Sequence, residues 1–161
     1  MEKVFIRNIE QKDNAIIAKI IRAVLIEYDA AKPGTVYYDA TTDALYELFD
    51  QPGAAYFVAE QDGEVLGGAG FFPTAGLPET TCELVKMYLL PEGRGKGLGK
   101  KLIEHCFARA KHAGYTQMYL ETMPELKEAI KLYERTDFKP LDAAVGSSCH
   151  FSCGIWMMKD L

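Results

Sequence analysis

Leu84 to Ile103 reads LVKMYLLPEGRGKGLGKKLI, and any fold for this chain has to accommodate it. An apolar, β-prone run stops at Pro91. Glycines follow at 93, 95, 97 and 99, and an amphipathic helical pattern begins directly after them. A strand, a glycine-rich turn and a helix start together form an anion site. The first turn of a helix offers backbone N–H groups without helical partners and a partial positive charge. Gly95, Gly97 and Gly99 let that backbone approach a phosphate with no Cβ in the way. Arg94, Lys96, Lys100 and Lys101 surround it with positive charge.

Spacing narrows the kind of phosphate compound. A Walker loop and a dinucleotide-binding GxGxxG both need a glycine pair five apart. Here every glycine separation is even, so both motifs fail. The remaining pattern, Arg94-Gly95-Lys96-Gly97-Leu98-Gly99, resembles the R/Q-x-x-G-x-G/A signature of the GNAT superfamily of N-acetyltransferases. The resemblance implies that Arg94 and the backbone of Gly95, Lys96, Gly97, Leu98, Gly99 and Lys100 hold the pyrophosphate of acetyl-coenzyme A.

A length of 161 residues suits one domain with a sizeable core, spanning 1–161. The composition, 48% hydrophobic and 25% charged, is that of an ordinary globular chain. A net charge of −5 argues against a nucleic-acid binder, since no basic surface dominates, and permits a cationic acceptor. No apolar run is long enough for a bilayer, and MEKVFIRNIE lacks the apolar core of a signal peptide, so a cytoplasmic location is expected. Of the four cysteines, Cys82 and Cys106 fall on apolar faces and read as core residues. Cys149, His150 and Cys153 form a CHxxC cluster. It lacks the second half of a zinc site, and no metal is expected.

Val4–Ile9 alternates like a strand. Gln11–Tyr28 carries Ile16, Ile17, Ile20, Ile21, Val24 and Leu25 at helical spacing, and Thr41–Phe49 reads as a shorter helix. Between the two lie Glu27, Tyr28, Tyr37, Tyr38 and Asp39. These acids and aromatics suit an ammonium-bearing ligand through charge and cation–π contact, or they form a plain packed surface loop. Ala55–Glu60 and Glu64–Phe72 flank Gln61-Asp62-Gly63, a hairpin signal. Gly67, Gly68 and Gly70 point to a bulge or a close neighbour in the second of these strands. Thr81–Leu90 is the strand entering the glycine loop, and Gly97–Ala113 is the helix leaving it, capped by Gly114. A strand at Tyr115–Thr122, a helix at Pro124–Arg135 and strands near Phe138–Val145 and Phe151–Lys159 complete the chain.

The order β-α-α-β-β-β-α-β-α-β-β is similar to the GNAT fold over essentially the whole chain. The fold class expected is therefore α/β (α+β): a mixed, mostly antiparallel sheet of about seven strands with four helices, splayed between strands four and five. The resemblance places the pantetheine arm in that gap, paired with backbone at Met87, Tyr88 and Leu89. Ala129-Ile-Lys-Leu-Tyr133-Glu-Arg-Thr-Asp-Phe138 is similar to the family's A-x-x-L-Y-E-x-x-G-F. By that position Tyr133 protonates the departing thiolate, although a tyrosine on a helix stripe is also an ordinary core residue. Leu126 stands where many relatives carry a pantetheine-binding Asn, and Asp137 where they carry Gly.

An amine attacks a thioester only when neutral, so a base is required. Glu83 and Glu121 both occupy positions where relatives place one, with Glu83 put first. These residues lead to an acetyl-CoA-dependent N-acetyltransferase that moves an acetyl group to a primary amine of a small molecule in a ternary complex. The loop at 27–39 and His150 would shape the acceptor site. Acetylation of a protein N-terminus or lysine, a non-catalytic acyl-CoA sensor, and acyl transfer through Cys149 and His150 are the alternatives. Homodimerisation through terminal strands or helices is an option that relatives often take.

Overall fold

The computed structural model describes residues 3–147 and 152–161. Cys149, His150 and the start of the last expected strand lie outside the described residues. The elements follow the expected order. They are β1 (Val4–Asn8), α1 (Asn14–Glu27), α2 (Leu45–Phe49), β2 (Ala55–Gln61), β3 (Glu64–Phe72), β4 (Thr81–Leu89), α3 (Leu98–His112), β5 (Gln117–Thr122), α4 (Lys127–Arg135), β6 (Lys139–Leu141) and β7 (Ile155–Asp160). Among the described residues, seven strands form one sheet in the order β1-β2-β3-β4-β5-β7-β6. Every pair is antiparallel except β4 with β5.

The β2–β3 hairpin turns at Asp62 and Gly63, both with positive φ (52° and 86°), as a two-residue loop with right-handed strand twist requires. α1 starts three residues later than its apolar pattern. A 3₁₀ turn at Gln11–Asp13 precedes it, and the Asp13 carboxylate accepts the Glu10 amide at 2.7 Å. Its buried stripe is Ile17, Ala18, Ile20, Ile21, Val24 and Leu25. Ile16, expected in that stripe, is 39% exposed, because it lies a quarter-turn off the face that meets the sheet. The second helix is shorter than expected. Ala40–Asp43 forms a 3₁₀ turn, and Ala44, at φ −138°, separates it from α2.

Two apolar layers sandwich the sheet. α1 and α2 pack with Tyr56, Val58 and Leu126 on one face. α3 packs Leu98, Leu102, Ile103, Cys106 and Ala110 against Phe57, Ala69, Leu84 and Met118 on the other. Cys82 and Cys106 are fully buried core residues, and burial pushes the Cys82 thiol up to about 12. α3 ends at Gly114 (φ 103°). The Gly114 amide donates to Lys111 O and the Tyr115 amide to Ala110 O, both bonds of a Schellman cap. No helix among the described residues is long and apolar enough to cross a membrane.

Candidate active site

The glycine loop is built as its composition demands. Pro91–Gly93 makes a single 3₁₀ turn, Gly95 takes φ 74°, and Gly97 takes φ 77° as the residue that opens α3. Helical bonding begins with the Lys101 amide donating to Gly97 O at 3.1 Å. The amides of Leu98, Gly99 and Lys100 therefore precede any helical acceptor and face outward with the positive end of a 15-residue helix. A Cβ at Gly95 or Gly97 would meet no atom within 4 Å, so these two glycines serve the left-handed backbone and the ligand side of the loop. Gly99 differs: a Cβ there would lie 3.4 Å from Leu132 and Leu89, where α3 passes close to α4.

Arg94 does more than add charge. Its guanidinium donates to Leu89 O (3.0 and 2.8 Å) and to both oxygens of Glu27 (2.7 and 2.8 Å), and it lies over the Tyr28 ring at 5.2 Å. It thus ties the loop to the end of β4 and to the end of α1. The hydrogen bond from Arg94 holds the Glu27 carboxyl below the usual carboxylate range.

Beyond the loop the sheet opens. β4 and β5 pair only at Thr81–Glu83 with Gln117–Tyr119. Past Glu83, β4 carries a bulge. Gly68 faces Tyr88 and Gly70 faces Val85, so Lys86 and Met87 together oppose Ala69. Lys86 takes φ 52°, an uncommon conformation for a side-chain-bearing residue. The extra residue resets the alternation of the strand. Leu84 and Met87 both pack on the α3 side, while Val85 and Tyr88 pack on the α1 side. The Lys86 side chain is released from both layers into the gap.

Two cavities occupy that gap. The larger, about 240 Å³, runs from Gly95, Gly97 and Lys100 along Met87, Tyr88 and Leu89, with Ala129 and Leu132 opposite. The smaller, about 50 Å³, is lined by Glu83, Lys86, Glu121, Tyr133 and Cys153 beneath Thr35 and Val36. Both touch Met87, Tyr88 and Leu126, so they join side by side. Leu126, at the mouth of α4, supplies an apolar surface to both.

Each candidate catalytic side chain lines the smaller cavity. Tyr133 is 7% exposed and stacks edge-on to Phe138 at 5.8 Å. Burial pushes its phenol above the ordinary tyrosine range. Asp137 takes φ 74° behind it, and the Phe138 amide donates to Tyr133 O, so α4 ends in a left-handed cap at the position where relatives carry Gly. Glu83 is buried and accepts the Thr74 hydroxyl at 2.6 Å. Glu121 accepts the Tyr119 hydroxyl at 2.7 Å, and that hydroxyl oxygen accepts the Val145 amide at 3.1 Å. Glu83 pairs in register with Tyr119, two residues from Glu121, so both carboxylates stand on one face of the sheet.

The loop candidates divide. Glu27 and Tyr28 both contact Arg94; Tyr28 lines the larger cavity, and neither lines the smaller one. Tyr37 and Tyr38 pack edge-on at 5.0 Å, and Tyr38 is 62% exposed; neither lines a cavity described here. Their neighbours Thr35 and Val36 do. Sequence reasoning missed Lys86, whose side chain is 6% exposed and lies 3.7 Å from Asp39. Its signal was a lone lysine inside LVKMYLL. Among the described residues no group of His, Cys, Asp and Glu could hold a metal ion.

Known proteins bear on this arrangement at three levels. A model of the acetyltransferase (GNAT) family matches residues 21–138. YjgM of Escherichia coli (strain K12), an uncharacterized N-acetyltransferase, is 44% identical over 156 residues, which cover 96% of this chain and 93% of that protein. The structure of yncA, a putative acetyltransferase from Salmonella typhimurium with acetyl-CoA, superposes with a TM-score of 0.76 at 26% identity, covering 98% of this chain and 94% of that one. A GNAT-family acetyltransferase of Staphylococcus aureus Mu50 shares the fold more closely, with a TM-score of 0.87 at 15% identity over 98% and 99% of the two chains.

Proposed function

This chain belongs to the GNAT family of acetyltransferases and is an acetyl-CoA-dependent N-acetyltransferase, and on that premise we propose that it acetylates a primary amine of a small molecule by direct attack in a ternary complex. The observation that carries the reading is the junction of the two cavities at Met87, Tyr88 and Leu126. A thioester delivered along β4 and an amine held between Glu83 and Glu121 would meet there. The smaller cavity has room for little more than the amine-bearing end of an acceptor, since a water's share of the liquid is about 30 Å³.

Each residue has a part in that scheme. The amides from Gly95 to Lys100 would hold the pyrophosphate, and the edge of β4 at Met87–Leu89, beyond its pairing with β5, would pair with the pantetheine amides. Leu126 would offer the arm packing in place of the hydrogen bond that an Asn gives. Glu83 or Glu121 takes the ammonium proton directly or through water, leaving the neutral nucleophile. The Leu89 amide would donate to the developing oxyanion. Tyr133, which burial keeps protonated, gives its proton to the departing thiolate.

The test is steady-state kinetics with an amine panel, following free thiol. Turnover of small amines with intersecting double-reciprocal lines supports the reading. Parallel lines would mean an acyl-enzyme. Turnover restricted to peptides would remove the small-molecule acceptor.

A further inference from the structure

Lys86 has no part in the scheme above, yet it is the most unusual residue in the acceptor cavity. It sits in left-handed backbone in the middle of a strand. Its side chain is 6% exposed. The bulge turns it away from both apolar layers and into the cavity. Its contact with Asp39 is 3.7 Å, well beyond the ~2.7–2.9 Å of a charge-assisted hydrogen bond. An ammonium has three donors, and that contact satisfies one at most. Burial lowers its pKa, while the charges of Asp39 and Glu83 oppose the drop.

The cavity is therefore bipolar. Glu83 and Glu121 stand at the end where β4 and β5 part, and Lys86 stands three residues further along β4. An acceptor with only an ammonium would leave the Lys86 cation with Asp39, at 3.7 Å, and no closer anion. A phosphate would bring a double charge toward two carboxylates in a space of about 50 Å³. A small, planar, singly charged anion on the same molecule as the amine satisfies both ends.

We propose that Lys86 is a specificity-determining residue that binds the carboxylate of the acceptor, so that the substrates are amino acids. The proposal rests on the small-molecule reading above. The amine faces Glu83 and Glu121, and the carboxylate accepts from the Lys86 ammonium. Asp39, 3.7 Å from the ammonium, positions Lys86.

The experiment compares three acceptors sharing one side chain: the amino acid, its carboxamide and the decarboxylated amine. Each is assayed by thiol release with the wild-type enzyme, Lys86→Met and Lys86→Arg. Thermal melts with coenzyme A confirm that each variant is folded and binds the coenzyme. The expected result is a wild-type preference of at least tenfold in kcat/KM for the amino acid. Lys86→Met erases that preference, mainly through KM, and Lys86→Arg retains most of it. Equal turnover of all three acceptors by the wild type overturns the inference and leaves the small-amine reading standing. A preference that survives Lys86→Met also overturns it. Failure of every small amine, with coenzyme binding intact, removes the small-amine reading and this inference together. Should Lys86→Met not fold, the wild-type panel and Lys86→Arg still decide.

Discussion

The Tyr56 hydroxyl donates to the Lys86 carbonyl oxygen at 2.7 Å, from β2 to β4 across the strand that lies between them. Glycines make the reach possible. A Cβ at Gly68 would stand 2.6 Å from the Tyr56 ring, and one at Gly70 2.4 Å from Ala55 O and 2.7 Å from that ring. The bond satisfies a carbonyl that the bulge removes from the sheet ladder. Tyr56→Phe leaves that carbonyl buried without its donor. The expected cost is about 1–2 kcal/mol, or roughly 2–8 °C for a domain of this size. The change loosens the bulge, so acceptor KM rises while coenzyme affinity holds. Gly70→Ala is expected to cost more, about 3 kcal/mol, because backbone and a core ring must both move. Urea melts and two-substrate kinetics check both variants.

Gly97 and Gly114 separate the stability of α3 from the function of its first turn. Both hold left-handed backbone, at φ 77° and 103°, and neither would bring a Cβ within 4 Å of another atom. Alanine at either end is strained by about 1–2 kcal/mol. Gly97→Ala and Gly114→Ala should therefore lower the melting temperature of the free protein by similar amounts. Only Gly97→Ala re-aims the amides ahead of Lys101, so only it weakens coenzyme A, by tenfold or more on the strength of that strain. Calorimetric titration of both variants checks this. Equal weakening would move the phosphate site elsewhere.

The Arg7–Asp13 pair fixes where α1 begins, and it predicts a pH dependence. Asp13 is 3% exposed and accepts from Arg7 at 2.8 and 3.0 Å and from the Glu10 amide at 2.7 Å. Burial alone would raise its pKa, but the hydrogen bonds from Arg7 and Glu10 outweigh it, and the net shift is downward from 3.8. A carboxyl depressed in the folded state stabilises fully above its unfolded value and loses that stabilisation as pH falls through the folded one. Asp13→Asn should therefore cost about 2 kcal/mol at pH 6. The gap to wild type should close as the pH drops below 3.8. Urea midpoints at pH 6 and below pH 3 check the sign.

What could be read in the sequence was local, and what could not was contact at a distance. The glycine loop, the Asp62-Gly63 turn and the stripe from Ile17 to Leu25 are written in adjacent residues, and the structure has them. The left-handed Asp137 fits its place before Phe138, where relatives carry Gly. The phase reset at Lys86 was not legible, because it depends on β3 register and on a tyrosine from β2. An alternating pattern assigns faces only while a strand has no extra residue. The segment from Glu27 to Asp39 was marked for its composition. Only folding separates Glu27, bound to Arg94, from Asp39, facing Lys86, and from Tyr37 and Tyr38, which pack on each other. Thr74 and Tyr119, the hydroxyls on Glu83 and Glu121, carry no motif at all.

Tyr133 is the residue whose role in the reaction can be isolated most cleanly. Its ring is part of the core with Phe138, so Tyr133→Phe keeps the packing and removes one oxygen. Stability should change by less than about 1 kcal/mol, the range of a conservative swap. Loss of a general acid costs typically 10²–10⁴-fold, and a thiolate is a good leaving group, so kcat should fall by about a hundredfold with KM little changed. Burial holds the phenol above its usual range, so the wild-type rate should show no alkaline fall from this group up to about pH 10. Glu83→Gln and Glu121→Gln form the matching pair, and only one of them should abolish the acidic limb of the kcat/KM profile. Full activity in Tyr133→Phe would return the tyrosine to the core and leave the thiolate to depart unprotonated.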